Sequence, residues 1–373
     1  MEMTVCGKPG KRWCCFPPFP QTLEIDETDS HISTATTTTR MNLILNNRPV
    51  QRYAIWGQGH ISIGGRDYLV AELGIKLINP AASGPLIVEI VGDDKRIALE
   101  LKFVGGTENP DFQFQSIGTT PATIRHGLRG EPKNLSDYLT EDAPVIWFAD
   151  GSSLEGNQWV PLREPKPPFD KSKIIGWDWA GTNIQTESQG EDRTATSVQA
   201  RVIRYLQTQE TYDVLFDDDS PGEAADIVAV RVVGGLKQPS EIKVDFFHCK
   251  FSRGANSGGR VEDLYALCGQ AQTSIWWAGS PAKKSDLFTH LMRREQLRRD
   301  NGRATRFEIG SVEVLHTIRE ISRSLPVSIA ITIVQPGLSK DRVSEDQLRL
   351  LGVTEHHLME TLALPFNVIG NAR

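Results

Sequence analysis

The sequence predicts a β-rich N-terminal unit followed by a mixed α+β / α/β unit, a small mixed sheet flanked by helices. Three observations carry this. From about 41 to 162 the chain consists of short β-like runs cut by glycines, with little helical pattern. A Pro-rich stretch, Glu164-Pro165-Lys166-Pro167-Pro168, then interrupts the texture. After it, helical and strand patterns alternate in the order α, β, β, β, α and later β, as layered mixed sheets do.

In the first unit the runs Ile61-Ser62-Ile63 and Tyr68-Leu69-Val70 flank Gly64-Gly65, a hairpin signal. Residues 86–91 and 97–101 supply two more strands. Residues 1–40 have neither a 2.0 nor a 3.6 period and are expected to be a disordered tail. The division follows as 1–40 tail, 41–162 β-rich domain of unassigned role, 163–176 linker, and 177–373 second domain.

In that second domain Val198, Val202, Tyr205 and Leu206 lie on one helical face. Residues 212–216 read as a strand, 217–222 as a turn, and 227–233 as an apolar strand buried on both faces. Gly234-Gly235 turns the chain into a third strand over 242–251. Helices are expected over 261–277, 286–299 and 311–325, and a strand over 327–334. Residues 344–363 read as two short helices, begun by a Ser344/Gln347 capping box and divided at Gly352.

Composition narrows the classes. The 373 residues are 39% hydrophobic and 24% charged, as in ordinary globular proteins. No apolar run reaches the ~18–20 residues of a membrane span, and Pro17, Pro18 and Pro20 break any signal-like core. A cytoplasmic, membrane-free protein is the expectation. Five cysteines make no disulfide framework, and no histidine pair beside Cys6, Cys14 and Cys15 suggests zinc. The net charge of −6 argues against a chain coated in nucleic acid, yet residues 250–306 carry eleven Lys/Arg against five Asp/Glu. A charge run alone is a solvated helix face. Arg293, Arg294, Arg298 and Arg299 are the candidates for phosphate contacts within it.

The chemistry concentrates at one predicted sheet end. Asp226 opens the second strand, and His248 and Lys250 close the third on a shared face, with Cys249 opposite. If the two strands form a hairpin, Asp226 meets His248 and Lys250. A carboxylate, a second ligand and a lysine suit metal-assisted phosphodiester hydrolysis. Asp217, Asp218, Asp219 and Glu223 make this end unusually acidic.

These residues, Gly222-Glu223-Ala224-Ala225-Asp226-Ile227-Val228 followed by Phe247-His248-Cys249-Lys250, resemble the PD-(D/E)xK nuclease superfamily. Histidine stands where that pattern has an acid; Mrr-type restriction endonucleases are similar in placing glutamine there. The region from Trp177-Asp178-Trp179 to Ile369, about half the chain, further resembles a domain attached to helicases in bacterial anti-phage and restriction-like systems. Glu187-Ser188-Gln189-Gly190, His248-Cys249-Lys250-Phe251-Ser252 and Val334-Gln335-Pro336-Gly337-Leu338 carry that likeness.

The resemblance implies a restriction-endonuclease-like core acting as a DNA endonuclease in phage defence or restriction. Asp226, His248, Lys250 and a helix glutamine would be catalytic, and Mg²⁺ or Mn²⁺ the cofactor. Asp226, Glu223 and Glu187 are the candidate metal ligands, with the Cys249 carbonyl implied by family geometry. Imidazole is a poor ligand for Mg²⁺ and a better one for Mn²⁺. Gln270 and Gln272 are two apart on a helix and cannot both face the site; Gln272, nearer the apolar stripe, is the choice. DNA is the implied partner. A helicase would be a separate chain, because no Walker A sequence is present, and a homodimer stays open. The alternative is a nuclease-like module that has lost catalysis and binds DNA or protein.

Overall fold

The computed structural model describes residues 41–42, 59–70, 73–78, 86–92, 94–106, 109–126, 130–147, 153–155, 158–160 and 166–372, the last without 210, 221, 255–257 and 259. The expected tail, 1–40, and the first residues of the Pro-rich stretch lie outside them.

The N-terminal part is β-rich, as its glycine-cut alternation requires. Its strands are β1 (Met41–Asn42), β2 (Gly59–Ile63), β3 (Arg66–Leu69), β4 (Gly74–Ile78), β5 (Leu86–Val91), β6 (Arg96–Gly106), β7 (Asn109–Ile117), β8 (Ala122–His126), β9 (Lys133–Asn134), β10 (Val145–Trp147), β11 (Ser153–Glu155) and β12 (Gln158–Val160). They form three antiparallel sheets ordered β3-β2-β8-β9, β4-β5-β6-β7 and β1-β10-β11-β12. Gly64 and Gly65 turn β2 into β3 with φ of 56° and 83°, the left-handed pair that a two-residue hairpin loop demands. One helix, α1 (Leu135–Glu141), starts at Asn134, whose side chain accepts the Ser136 N–H.

The C-terminal part is built on a seven-stranded mixed sheet. Its elements are β13 (Ile174–Trp177), α2 (Val198–Thr208), β14 (Val214–Asp217), β15 (Ile227–Val233), β16 (Glu241–Cys249), α3 (Glu262–Thr273), α4 (Ile275–Ala278), α5 (Pro281–Asp300), β17 (Phe307–Ile309), α6 (Val312–Ile321), β18 (Val327–Ser339), α7 (Glu345–Leu362) and β19 (Phe366–Asn371). The strand order is β13-β19-β18-β16-β15-β14-β17. β14 to β16 form an antiparallel meander, and β16, β18, β19 and β13 run parallel.

Alternation sorts the side chains into two cores. Val228, Val230 and Val232 of β15 and Phe246 of β16 pack with Leu264, Leu267 and Ala271 of α3. Ile227, Ala229, Phe247 and Cys249 pack on the opposite face with Val198, Val202, Ile203 and Leu206 of α2 and with Trp177 and Trp179. Both faces are covered, which is why β15 is almost wholly apolar. Each fully buried large side chain, such as Phe246, contributes about 1.5–3 kcal/mol by leaving water.

Several expectations need correction. Residues 344–363, expected as two short helices, form the single helix α7, and the strand β19 follows beyond them. The Ser344/Gln347 capping box is present, but Gly352 lies inside the helix. It is needed there for close approach, since a Cβ would stand 2.3 Å from the Pro167 carbonyl oxygen. That contact, and the Phe169 N–H to Leu348 carbonyl bond at 2.9 Å, dock the Pro-rich segment onto α7. Residues 174–176, placed in the linker, belong to β13 and pair with β19. The helix expected over 261–277 is interrupted at Ser274, and α5 begins five residues earlier than expected, with Pro281 at its first position.

Candidate functional site

The site lies where β14 turns into β15. Asp217 pairs with Ile227 as the last step of the ladder, and the Asp218 N–H reaches the Asp226 carbonyl at 2.9 Å. The intervening turn carries the acids. Asp219, Glu223 and Asp226 each offer a carboxylate oxygen, and these lie within 4.8 Å of one another. Asp226 is 1% exposed, while Asp219 and Glu223 are half-buried.

Asp226 is held from two directions. Its Oδ2 accepts the Cys249 N–H at 2.8 Å, and its Oδ1 accepts the Gln199 amide at 3.4 Å. Burial, followed by the neighbouring Glu223 and Asp219 charges, pushes its carboxyl well above the usual range. Glu223 accepts the Gln270 amide at 2.9 Å and the Ser220 N–H at 3.1 Å. Three acids sharing so small a volume with an all-oxygen donor set suit a hard divalent cation, which would relieve their mutual repulsion.

The expected hairpin of β15 and β16 forms, so Asp226 does meet the end of β16. Its companions there are distributed differently from the sequence expectation. His248 is 1% exposed; its Nε2 bonds the Ser274 hydroxyl at 2.7 Å, and its Nδ1 is 3.9 Å from Asp226 Oδ2. It therefore packs behind Asp226 and is not among the three clustered acids. Lys250 follows the last residue of β16, beyond the regular alternation, and turns to Glu187, with its Nζ 2.8 Å from Oε1 and 2.7 Å from Oε2. His248 and Lys250 consequently reach different partners. Glu187, a candidate ligand, serves as the Lys250 counterion and also accepts the Phe251 N–H at 3.3 Å. It stays close enough to contribute to the raised Asp226 carboxyl.

The helix glutamine is a second correction. Gln270, 4% exposed, is the one that reaches Glu223; Gln272 lies two residues further round α3 and is half-buried away from that contact. Behind Asp226, the Gln199 side chain accepts the Gln189 N–H at 3.0 Å. The Gln189 amide in turn bonds Asp217 at 2.7 Å and Glu308 at 2.8 Å.

The four arginines divide. Arg294 is 8% exposed and bonds the fully buried Asp218 carboxylate and Ser220 Oγ, so it is a core residue and not a phosphate contact. Arg298 is drawn to Glu191 at 2.8 Å and to the Ala304 carbonyl. Arg293 is exposed, and Arg299 is half-exposed beside Glu295. Local charge could not separate these positions, because only the packing of α5 decides which cations are desolvated.

Sequence reasoning also missed roles within the aspartate run. Asp217 closes the ladder, Asp218 turns into the protein, and Asp219 faces Asp226. Burial raises the Asp218 carboxyl, and the Arg294 and Arg306 guanidinium groups beside it oppose that shift. His290, also packed here against the Trp277 ring, is pushed down to about 3 by burial and by the nearby arginines. Among the described residues no helix is long and apolar enough to cross a membrane. No family model, curated protein or solved structure matches the chain.

Proposed function

We propose that the chain is a Mg²⁺- or Mn²⁺-dependent DNA endonuclease. The observation that carries this reading is the convergence of the Asp219, Glu223 and Asp226 carboxylates, with the Lys250–Glu187 pair nearby. Asp226, fixed by the Cys249 N–H, and Glu223, fixed by Gln270, would hold the ion, with Asp219 completing the set. A bound divalent ion would supply a polarised phosphoryl oxygen and a water of lowered pKa. Lys250 carries a positive charge in a site otherwise rich in acids. An entering phosphate competes with Glu187 for that charge, and the lysine then balances negative charge developing on the phosphoryl group. His248 supports the wall behind Asp226 through Ser274. A role in phage defence or restriction rests on the motif likeness of residues 177–369.

A second reading, a nuclease-like module that binds DNA without cutting it, is favoured by one observation. Both oxygens of Glu187 lie within 2.8 Å of the Lys250 ammonium, leaving that cation occupied. Incubating plasmid and linear DNA with the full chain in Mg²⁺, Mn²⁺ or chelator distinguishes the readings. The nuclease reading expects metal-dependent cleavage that Asp226→Asn abolishes; metal-independent retention of intact DNA supports the module.

A further inference from the structure

The turn that presents the acids is gripped from beneath. Arg306 is 8% exposed, and its Nη1 donates to the Asp217 carbonyl at 2.9 Å and the Asp219 carbonyl at 3.3 Å. Its Nη2 donates to Ser220 Oγ at 3.0 Å. Arg294, from α5, donates to the Asp218 carbonyl at 2.8 Å, to the same Ser220 hydroxyl and to the Asp218 carboxylate. Asp218, 0% exposed, closes the turn on itself by accepting the Ala224 N–H at 2.8 Å. His290, one helical turn before Arg294, packs against the Trp277 ring. The carbonyls of three consecutive acidic residues are thus drawn to one side by two planar guanidinium forks.

We propose that Arg294 and Arg306 are positioning residues for metal binding, holding the 217–223 turn so that Asp219 and Glu223 meet Asp226. This inference rests on the reading of those three carboxylates as a cation site. Two effects act together. The forks fix the backbone, because each guanidinium satisfies several acceptors in one plane, which an ammonium cannot do. They also set buried positive charge against the Asp218 carboxylate, and Arg306 acts in the same way on Asp217. Ser220 is the shared point of the grip, since its hydroxyl accepts from both arginines.

The test is Mn²⁺ binding by calorimetry on the full chain, with melting followed in chelator. Arg306→Lys keeps the charge and loses the fork, and is expected to weaken Mn²⁺ affinity about tenfold or more, as loss of ligand-orienting groups does. Ser220→Ala removes only the shared acceptor and is expected to cost about threefold to tenfold. Arg323→Gln, an exposed arginine paired with Glu320 on another helix, is the control expected to bind as wild type. A purely structural role would lower the metal-free melting temperature and leave the Mn²⁺ affinity of the folded chain unchanged. If Arg306→Lys does not fold, Ser220→Ala decides. Wild-type affinity in Ser220→Ala and in any folded Arg306→Lys, with Asp226→Asn unable to bind, overturns this inference and leaves the cation site standing. Equal Mn²⁺ binding by wild type and Asp226→Asn overturns the cation site itself, and the inference with it.

Discussion

The Asp226 carboxylate accepts the Cys249 backbone N–H at 2.8 Å, extending the pairing of β15 with β16 past Ile227 and Phe247 by one side-chain step. The sheet's register therefore sets the position of the most buried acid in the cluster. A slip of one residue would turn every side chain of β15 to the other face and carry Asp226 with it. The same bond does not neutralise the acid. One N–H and a distant Gln199 amide are set against burial and two neighbouring carboxylates, and the net effect is a carboxyl raised well above its ordinary value.

Asp226→Asn is expected to separate function from stability. Asparagine keeps an acceptor for the Cys249 N–H and removes the charge. The folded pKa of Asp226 lies above its unfolded value of 3.8. Its favourable contribution is thus present below 3.8 and is lost as pH rises through the folded pKa. At pH 8 without metal the variant should be more stable than wild type by about 0.5–2 kcal/mol. Cleavage, and any rise in melting temperature on adding Mn²⁺, should disappear. Urea denaturation in chelator and in Mn²⁺ checks both halves; a less stable variant in chelator would show that the charge is not strained.

His248→Glu is expected to destabilise the protein without improving Mg²⁺ use. The imidazole is 1% exposed and spans from Ser274 toward Asp226. A carboxylate there would be buried beside a second raised acid. Loss of about 1–3 kcal/mol is expected from the broken Ser274 bond and the buried charge. Thermal melting with parallel activity in Mg²⁺ and Mn²⁺ is the measurement. A stable variant with enhanced Mg²⁺ activity would return His248 to the ligand set.

The legible part of the site was the part fixed by strand periodicity. Ile227 to Val233 read as a doubly buried strand, and its hairpin with β16 brought Asp226 to His248 because alternation and a Gly-Gly turn decide both. What was hidden depends on packing between distant segments. Nothing local distinguishes the Asp217, Asp218 and Asp219 side chains, which differ in the partners that packing gives them: Gln189, Arg294 and the Asp226 cluster respectively. The apolar stripe of α3 points to Gln272 rather than Gln270, whereas contact with Glu223 depends on where the turn lies. β13 and β19 are edge-side parallel partners 194 residues apart, about the least local kind of pairing.

His290 should contribute a loss of stability between neutral and mildly acidic pH. Its folded pKa is about 3, against an ordinary value of 6.5. The unfolded chain binds a proton there that the folded chain refuses, so the stability is whole above 6.5 and is lost as pH falls toward 3. The slope from one such group is at most about 1.4 kcal/mol per pH unit. His357, lowered to about 4 mainly by burial, acts in the same direction. The raised carboxyls of Asp217, Asp218, Asp226 and Asp245 act in the opposite one. The informative quantity is thus the change in slope. His290→Gln should show a shallower decline between pH 7 and 5 than wild type in urea titrations. An unchanged slope would remove His290 as a contributor.

Gly352→Ala is expected to be costly, although alanine favours helices. The new methyl would meet the Pro167 carbonyl oxygen at 2.3 Å and the Phe169 nitrogen at 2.8 Å, which are backbone atoms and cannot swing aside. Overpacking of this kind costs about 1–3 kcal/mol, more than the ~1 kcal/mol of helix propensity that replacing glycine gains. A lower melting temperature, with greater protease cleavage near 166–170 as the segment lifts from α7, is the expected outcome. Melting at or above the wild-type temperature would show that the segment yields easily.

Glu187 was a candidate metal ligand by sequence and is the partner of Lys250 by geometry, and Glu187→Gln separates the two roles. The amide can still accept the Phe251 N–H, so the loop before α2 should keep its place. If Glu187 is chiefly the lysine's counterion, Mn²⁺ affinity should stay within about twofold of wild type, whereas removal of a true ligand or orienting group costs about 10–100-fold. Release of the ammonium should at the same time strengthen DNA binding and steepen its salt dependence, because one more cation becomes available to phosphate. Adding Lys250→Ala to Glu187→Gln should cancel the gain in DNA affinity and, on the nuclease reading, abolish cleavage. A tenfold loss of Mn²⁺ affinity in Glu187→Gln with unchanged DNA binding would instead make Glu187 a fourth acid of the cation site and leave the lysine without its proposed role.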